Sequence, residues 1–308
     1  MEEIIRLFPQ DAKVSIVQSI NNRWHRLEEI RLRLNRPIEL YFRHQFEWVS
    51  NIIFTKKLSV FLLSQLSEHS LYRMEDELRE GYITIDGGHR VGIAGNTITD
   101  NGKVKRINQI TFFNIRIAKQ VLNVARPILP YLYENGSYLN TMIIGAPQSG
   151  KTTMIRDLSR LIGNGGKSIP AYKVAIIDER SEIAACRDGV PQHEIGLRTD
   201  VMDACPKVEG MMMMIRSMSP NVLIVDEIGK KEDADALLEA INAGVTIICS
   251  AHGSHINMLE TQPFLKNLTI QHTFERFILL IKTKEHEQII NVYNKSKSLI
   301  ASFNDKNQ

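Results

Sequence analysis

Between an apolar run at residues 139–144 and a helical pattern (Met154, Ile155, Leu158, Leu161, Ile162) lies Gly145-Ala146-Pro147-Gln148-Ser149-Gly150-Lys151-Thr152. These residues satisfy G-x-x-x-x-G-K-[ST] without a mismatch, in the strand–loop–helix setting that the motif demands. Gly145 and Gly150 permit backbone conformations that a side chain would block, so successive N–H groups can point into one concavity. The helix N-terminus adds about half a positive charge to that concavity. Lys151 is then placed to reach the β- and γ-phosphates of a nucleoside triphosphate such as ATP, and the Thr152 hydroxyl to ligate Mg²⁺. Thr153 continues the same cradle.

The motif also constrains the fold. Downstream, continuous apolar runs at residues 174–177, 222–225, 245–249 and 277–281 alternate with helical patterns. Such runs mark strands of a parallel sheet buried on both faces. The expected fold class is therefore α/β, with a RecA-like, mostly parallel sheet around the phosphate loop. In that sheet ligands bind outside the carboxyl ends of the strands.

Three of those strand ends carry chemistry. Residues 222–225 run into Asp226-Glu227. Asp226 can hold a hydrated Mg²⁺ whose other ligand is Thr152, and Glu227 can polarise a water for attack on the γ-phosphorus. Residues 174–177 run into Asp178-Glu179-Arg180-Ser181-Glu182, where Glu179 and Glu182 can either position water or metal or simply complement a helix dipole. Residues 245–249 run into Ser250-Ala251-His252-Gly253, which makes His252 a candidate γ-phosphate sensor. Arg216 follows the Met211–Met214 run on an expected helix over residues 208–217, pointing either at the nucleotide or into solvent.

The first part of the chain has another texture. Residues 28–34 alternate charged and apolar side chains, Asn35-Arg36-Pro37 supplies a turn, and residues 38–42 return as a second strand. Thr55 is a candidate N-cap for a helix through Leu58, Phe61, Leu62 and Leu66. A further helix is expected over residues 71–80. Strands over 82–86, 90–94, 103–107 and 114–118 follow, linked by Gly87-Gly88 and Asp100-Asn101-Gly102. This reads as a small α+β domain of residues 1–126, ahead of a phosphate-loop domain of residues 127–308 whose tail, from about Ser296, is expected to fray.

Charge and cysteines bound the partners. Of 38 Lys+Arg and 35 Asp+Glu, residues 1–130 hold 19 and 14, a balance of +5 that leaves −2 for the remainder. A mildly basic first domain admits nucleic acid, anionic lipid or an acidic surface. Its aromatic residues are too sparse for a base-stacking platform, which speaks against nucleic acid. Three scattered cysteines, with no C-x-x-C pair, argue for a reducing compartment. The acidic start is unlike a secretory signal, and no run approaches the ~20 apolar residues of a membrane-spanning helix. The expected location is cytoplasmic, peripheral at a membrane only through a partner.

With the loop, the acidic strand and the His strand together, the chain resembles the secretion ATPases, hexameric motors related to the type II and type IV pilus systems. Residues 178–182 are similar to their Asp box, and Ala251-His252-Gly253 to their His box. Asp226 departs from the pilus motors, which usually lack an Asp directly before the glutamate. Further motifs resemble the sporulation stage III AA family of endospore-forming bacteria. They are Glu29-Ile30-Arg31-Leu32-Arg33 with Arg36-Pro37, Gly88-His89-Arg90-Val91-Gly92-Ile93-Ala94-Gly95, Asn114-Ile115-Arg116-Ile117-Ala118, and the stretch from Leu197-Arg198-Thr199-Asp200 to Ser219-Pro220.

That resemblance implies a mother-cell ATPase, a homo-hexamer working with membrane proteins of a channel that links mother cell to forespore. It also implies an arginine from elsewhere completing each nucleotide site, with Arg90 and Arg116 on the small domain as candidates. The alternative is a RecA-like ATPase stimulated by nucleic acid. A GTPase switch is disfavoured because no Asn-Lys-x-Asp base-reading motif is present.

Overall fold

The computed structural model describes residues 1–43, 45–67, 78, 81–100, 102–167, 169–258, 273–283 and 288–304. The chain forms two compact units, Met1–Lys119 and Gln120–Gln308. The expected boundary at 126/127 falls inside the second unit. The reason is local: Ala125 and Ile128 are buried in that unit's core, and the Ala125 N–H donates to Asp157 Oδ2 at 2.9 Å.

The first unit is a six-stranded antiparallel sheet. Its strands are β1 Leu27–Arg33, β2 Pro37–Phe42, β3 Gln45–Ile53, β4 Tyr82–Ile85, β5 His89–Asp100 and β6 Lys103–Arg116, in the order β3-β2-β1-β6-β5-β4. Alternation works as the sequence implies. Ile30, Leu32, Leu40 and Ile115 point into a core shared with Ile16, Ile20 and Leu62 of helices Gln10–Ile20 and Lys56–Leu66. Thr55 does cap the latter, its side chain accepting the Leu58 N–H at 3.4 Å. The helix Gln10–Ile20 and the mostly exposed edge strand β3 were not anticipated. The helix expected over 71–80 lies, apart from Leu78, outside the described residues. The β5–β6 hairpin is much longer than expected and carries register shifts, one of them between Ala94 and Gly95. A Cβ at Gly95 would stand 1.7 Å from the Gln109 carbonyl oxygen, so only glycine fits that bulge.

The second unit holds an eight-stranded sheet and a two-residue ribbon, β7 Tyr133–Glu134 with β8 Ser137–Tyr138. The sheet's strands are β9 Thr141–Gly145, β10 Val174–Asp178, β11 Thr199–Asp203, β12 Val222–Val225, β13 Thr246–His252, β14 Arg276–Lys282, β15 Gln288–Asn294 and β16 Leu299–Asn304. Their order is β11-β10-β12-β13-β9-β14-β15-β16. From β11 to β14 every pair is parallel; β15 and β16 extend the sheet antiparallel. The five runs read as strands are the central ones. β11, β15 and β16 were missed because they are short or half exposed and lack a continuous apolar signature. The tail expected to fray from Ser296 instead supplies β16, which pairs with β15.

The two faces of this sheet are packed differently. One face is rich in β-branched residues: Ile143, Val174, Ile176, Val222, Ile224, Ile248 and Ile278 meet Met154, Ile155, Leu158 and Ile162 of helix Lys151–Asn164. On the other face Met142, Ala175, Leu223 and Ile247 meet Met211 and Met214 of helix Lys207–Met218, and Ala234, Leu237 and Ala240 of helix Lys231–Asn242. Half of the Met211–Met214 run is thus core; Met213 is exposed.

Candidate nucleotide site

β9 is buried along its whole length and delivers the loop at its carboxyl end. Gly150 sits at φ +95°, in the left-handed region, directly before the helix begins at Lys151. A Cβ there would meet Gln288 Nε2 at 2.7 Å, and one at Gly145 would meet Ser149 Oγ at 2.2 Å. The loop is wound so tightly that both glycines are needed. Gln288 Nε2 also donates to the Ser149 carbonyl at 2.7 Å, tying the loop to β15. Lys151 Nζ donates to the Gly145 and Ala146 carbonyls at 2.9 and 3.1 Å. The ammonium therefore lies folded over the loop, with one of its three donors beyond these two bonds.

The acids stand beside it. Thr152 Oγ1 donates to Asp226 Oδ2 at 3.3 Å, joining the loop helix to the end of β12. The neighbouring strand β13 supplies Ser250, fully buried. Its Oγ donates to Asp226 Oδ1 at 2.5 Å and accepts the Glu227 N–H at 2.9 Å. Glu227 itself is left-handed, at φ +47°. Its Oε2 accepts from Arg180 Nη1 at 3.1 Å, with both side chains substantially exposed.

The loop after β10 is clamped from two sides. Asp178, 1% exposed, accepts the N–H groups of Glu182, Ile183 and Ala184 at 2.8, 2.9 and 2.8 Å. Arg156, on the loop helix, donates to the carbonyls of Ile183 and Glu182 at 2.5 and 2.6 Å. Burial pushes the Asp178 carboxyl above the usual aspartate range, and the amides pull it back. Glu179 pairs with Lys207 Nζ, and that bond holds its carboxyl below the usual glutamate value. Asp178, Glu179, Arg180, Glu182, Lys207, Asp226 and Glu227 line one cleft at the carboxyl ends of β10 and β12. On the other side of the loop, Ser149, Gly150, Thr153 and Met154 border a cavity of about 310 Å³ with Val121, Val124, Lys282 and Gln288.

Of the residues expected from sequence, the structure brings together Gly145, Gln148, Ser149, Gly150, Lys151, Thr152, Thr153, Asp226, Glu227 and Glu179. His252 ends β13, exposed, in register with Gly145. Arg216 is exposed. It sits in the last turn of helix Lys207–Met218, nine residues or about 13 Å along the axis from Lys207. Arg90 and Arg116 pair with each other across β5 and β6 in the first unit. The guanidinium of Arg90 lies 4.8 Å from the centre of the Tyr82 ring. Three contributors were missed. Arg156 and Gln288 carry no motif that would reveal them, whereas the role of Ser250 follows once β13 is known to lie beside β12.

Fold and site together define a RecA-like phosphate-loop domain. Among solved structures, the pilus retraction motor PilT with bound ADP superposes with a TM-score of 0.62 at 13% identity, over 91% of this chain and 81% of that one. The ATPase DotB of Legionella pneumophila superposes at 0.58 and 16% identity, over 92% and 79%. These likenesses concern the fold.

The chain belongs to the family "Sporulation stage III, protein AA", whose profile matches residues 1–300. The Stage III sporulation protein AA of Bacillus subtilis (strain 168) is 50% identical over 301 residues, 98% of this chain and 97% of that protein. An uncharacterized protein, ycf45, of Cyanidium caldarium is 28% identical over 244 residues, 79% and 66% of the two chains.

Proposed function

We propose that this protein is a Mg²⁺-dependent ATPase, a homo-hexameric motor that energises a channel or secretion-like apparatus between mother cell and forespore. One observation carries the reading: the Thr152 hydroxyl lies 3.3 Å from Asp226 Oδ2 at the head of the loop helix that begins with Lys151. A hydroxyl and a carboxylate side by side at a helix N-terminus form the oxygen donor pair that a phosphate-bound Mg²⁺ takes. The loop of Gly145, Ala146, Pro147, Gln148, Ser149 and Gly150 suits a polyphosphate, since left-handed Gly150 leads its main-chain amides straight into a helix N-terminus. The family membership and the names of the fold neighbours, an ATPase and a motor with bound ADP, support the same reading.

In this reading Lys151 turns from the loop carbonyls toward the phosphates, and the main-chain amides before it orient them. Thr152 and Asp226 would hold the Mg²⁺, which would supply charge neutralisation there. Glu227 takes a proton from the attacking water or aligns it, once its carboxylate leaves Arg180. That exchange is inexpensive, since an exposed ion pair is worth about 0–1 kcal/mol. Glu179 and His252 flank the site as polar contacts to water and the terminal phosphate. Arg90 or Arg116 from a neighbouring subunit offsets developing negative charge, a contribution of roughly 10³–10⁵ in rate in other phosphoryl-transfer enzymes. No helix among the described residues is long and apolar enough to cross a membrane. In the proposed assembly this chain works from the cytoplasmic side, with partner membrane proteins forming the channel.

The test is a pair of substitutions. Lys151→Ala is expected to abolish ATP binding and hydrolysis, whereas Glu227→Gln keeps binding by calorimetry and loses about 10²–10⁴-fold in turnover. Undiminished turnover in both variants would refute the mechanism.

A further inference from the structure

Asp226 and Glu227 follow each other in sequence, yet as metal ligand and water-activating base both must serve one site. A regular strand would turn them to opposite faces of the sheet. The chain resolves this by leaving β12 at Val225 and placing Glu227 in the left-handed region at φ +47°. A non-glycine residue does not stay there unaided; such a conformation is strained and persists only where its surroundings impose it.

We infer that Ser250 is the positioning residue that imposes it, fixing Asp226 and Glu227 together through one hydroxyl; the inference rests on the ATPase reading above. The bonding is unambiguous in direction. A hydroxyl has one proton, and Ser250 Oγ gives it to Asp226 Oδ1 at 2.5 Å while accepting the Glu227 N–H at 2.9 Å. One residue further on, the Ile228 N–H donates to the Ser250 carbonyl at 2.7 Å. The serine thus grips three consecutive residues from the adjacent strand. The parallel register, Val225 beside Cys249, brings it level with the turn. With Oδ1 occupied by Ser250, Asp226 presents Oδ2 toward Thr152. The hydroxyl is fully buried and has no access to a ligand of its own, so it acts through the two acids.

The experiment compares the unsubstituted full chain with Ser250→Ala and Ser250→Thr in three measurements: steady-state ATP turnover against Mg²⁺ concentration, ATP affinity by calorimetry, and amide hydrogen exchange of peptides spanning residues 226–228. Alanine is expected to lower kcat by about 10²-fold, the cost of a misplacement near 1 Å. It should also raise the Mg²⁺ concentration for half-maximal rate, leave ATP affinity within about threefold, and speed exchange at Glu227. Threonine, which keeps the hydroxyl, is expected to restore exchange protection and most of the rate.

Alanine that leaves kcat, the Mg²⁺ requirement and the exchange rate unchanged would overturn the assignment. So would a loss spread equally over affinity and rate, or a threonine variant that melts with the parent yet stays as slow as alanine. An unsubstituted chain without turnover would instead sink the ATPase reading. The exchange comparison would still decide whether Ser250 holds the turn.

Discussion

Asp178 offers the sharpest energetic test of how the site is built. Its carboxylate is 1% exposed and accepts three main-chain N–H groups, from Glu182, Ile183 and Ala184. Asp178→Ala strands all three donors, and a buried donor left unmade costs about 1–3 kcal/mol. The space vacated admits water, which argues for the low end, and relief of the buried charge offsets a little more. The sum is about 3 kcal/mol. For a unit of 150–250 residues that corresponds to a fall of about 6–12 °C in melting temperature.

Asp178→Asn separates hydrogen bonding from charge. Its carbonyl oxygen can replace Oδ2, which takes two of the three bonds, while its NH₂ opposes the Glu182 N–H. About half the loss is expected. Calorimetric melting of the full chain supplies the measurement. The first unit has a hydrophobic core of its own, and any transition it gives separately should not move. An alanine variant melting within about 2 °C of the parent would refute the reasoning, as would an asparagine variant as damaged as alanine.

Two further outcomes follow from the side-chain environments. Cys186 and Cys249 are buried, with burial pushing the Cys186 thiol up to about 12 and the Cys249 thiol higher still. Iodoacetamide at pH 8 should therefore label Cys205 first and the other two only on unfolding, read by peptide mass spectrometry. The Glu179 carboxyl is held below its ordinary 4.5 by Lys207. A depressed folded value means that the pair's stabilisation is present above pH 4.5 and fades as pH falls below it. The stability gap between parent and Glu179→Gln, small because Glu179 is partly exposed, should close on acidification in urea titrations.

What the sequence showed and what it hid divide along physical lines. The parallel strands were legible because burial on both faces makes them continuous apolar runs, and the loop because its backbone admits few residues. Thr152, Asp226 and Glu227 were placed by the same logic, since strand ends in such a sheet converge. Edge elements such as β3, β11 and β16 were not visible, because an edge strand owes its state to a neighbour's hydrogen bonds rather than to its own composition. Arg156 and Gln288 stayed hidden for a related reason: each acts on main-chain carbonyls far away in sequence, and carbonyls leave no trace in residue identity. Arg216 was open to two readings, nucleotide or solvent, and its exposed place in the last turn of helix Lys207–Met218 suits the second.

The unequal faces of the second sheet set which parts of the site can give. β-branched side chains hold essentially one χ1 rotamer in a helix and few elsewhere, so the face under helix Lys151–Asn164 behaves as a hard bed. The buried methionines of helix Lys207–Met218 re-seat with little penalty, and that helix carries the Lys207 partner of Glu179. A cycle of filling and emptying would therefore disturb the cradle and the acidic loop clamped to its helix by Arg156 least, and the sulfur-lined side, where Lys207 rides on its own helix, most.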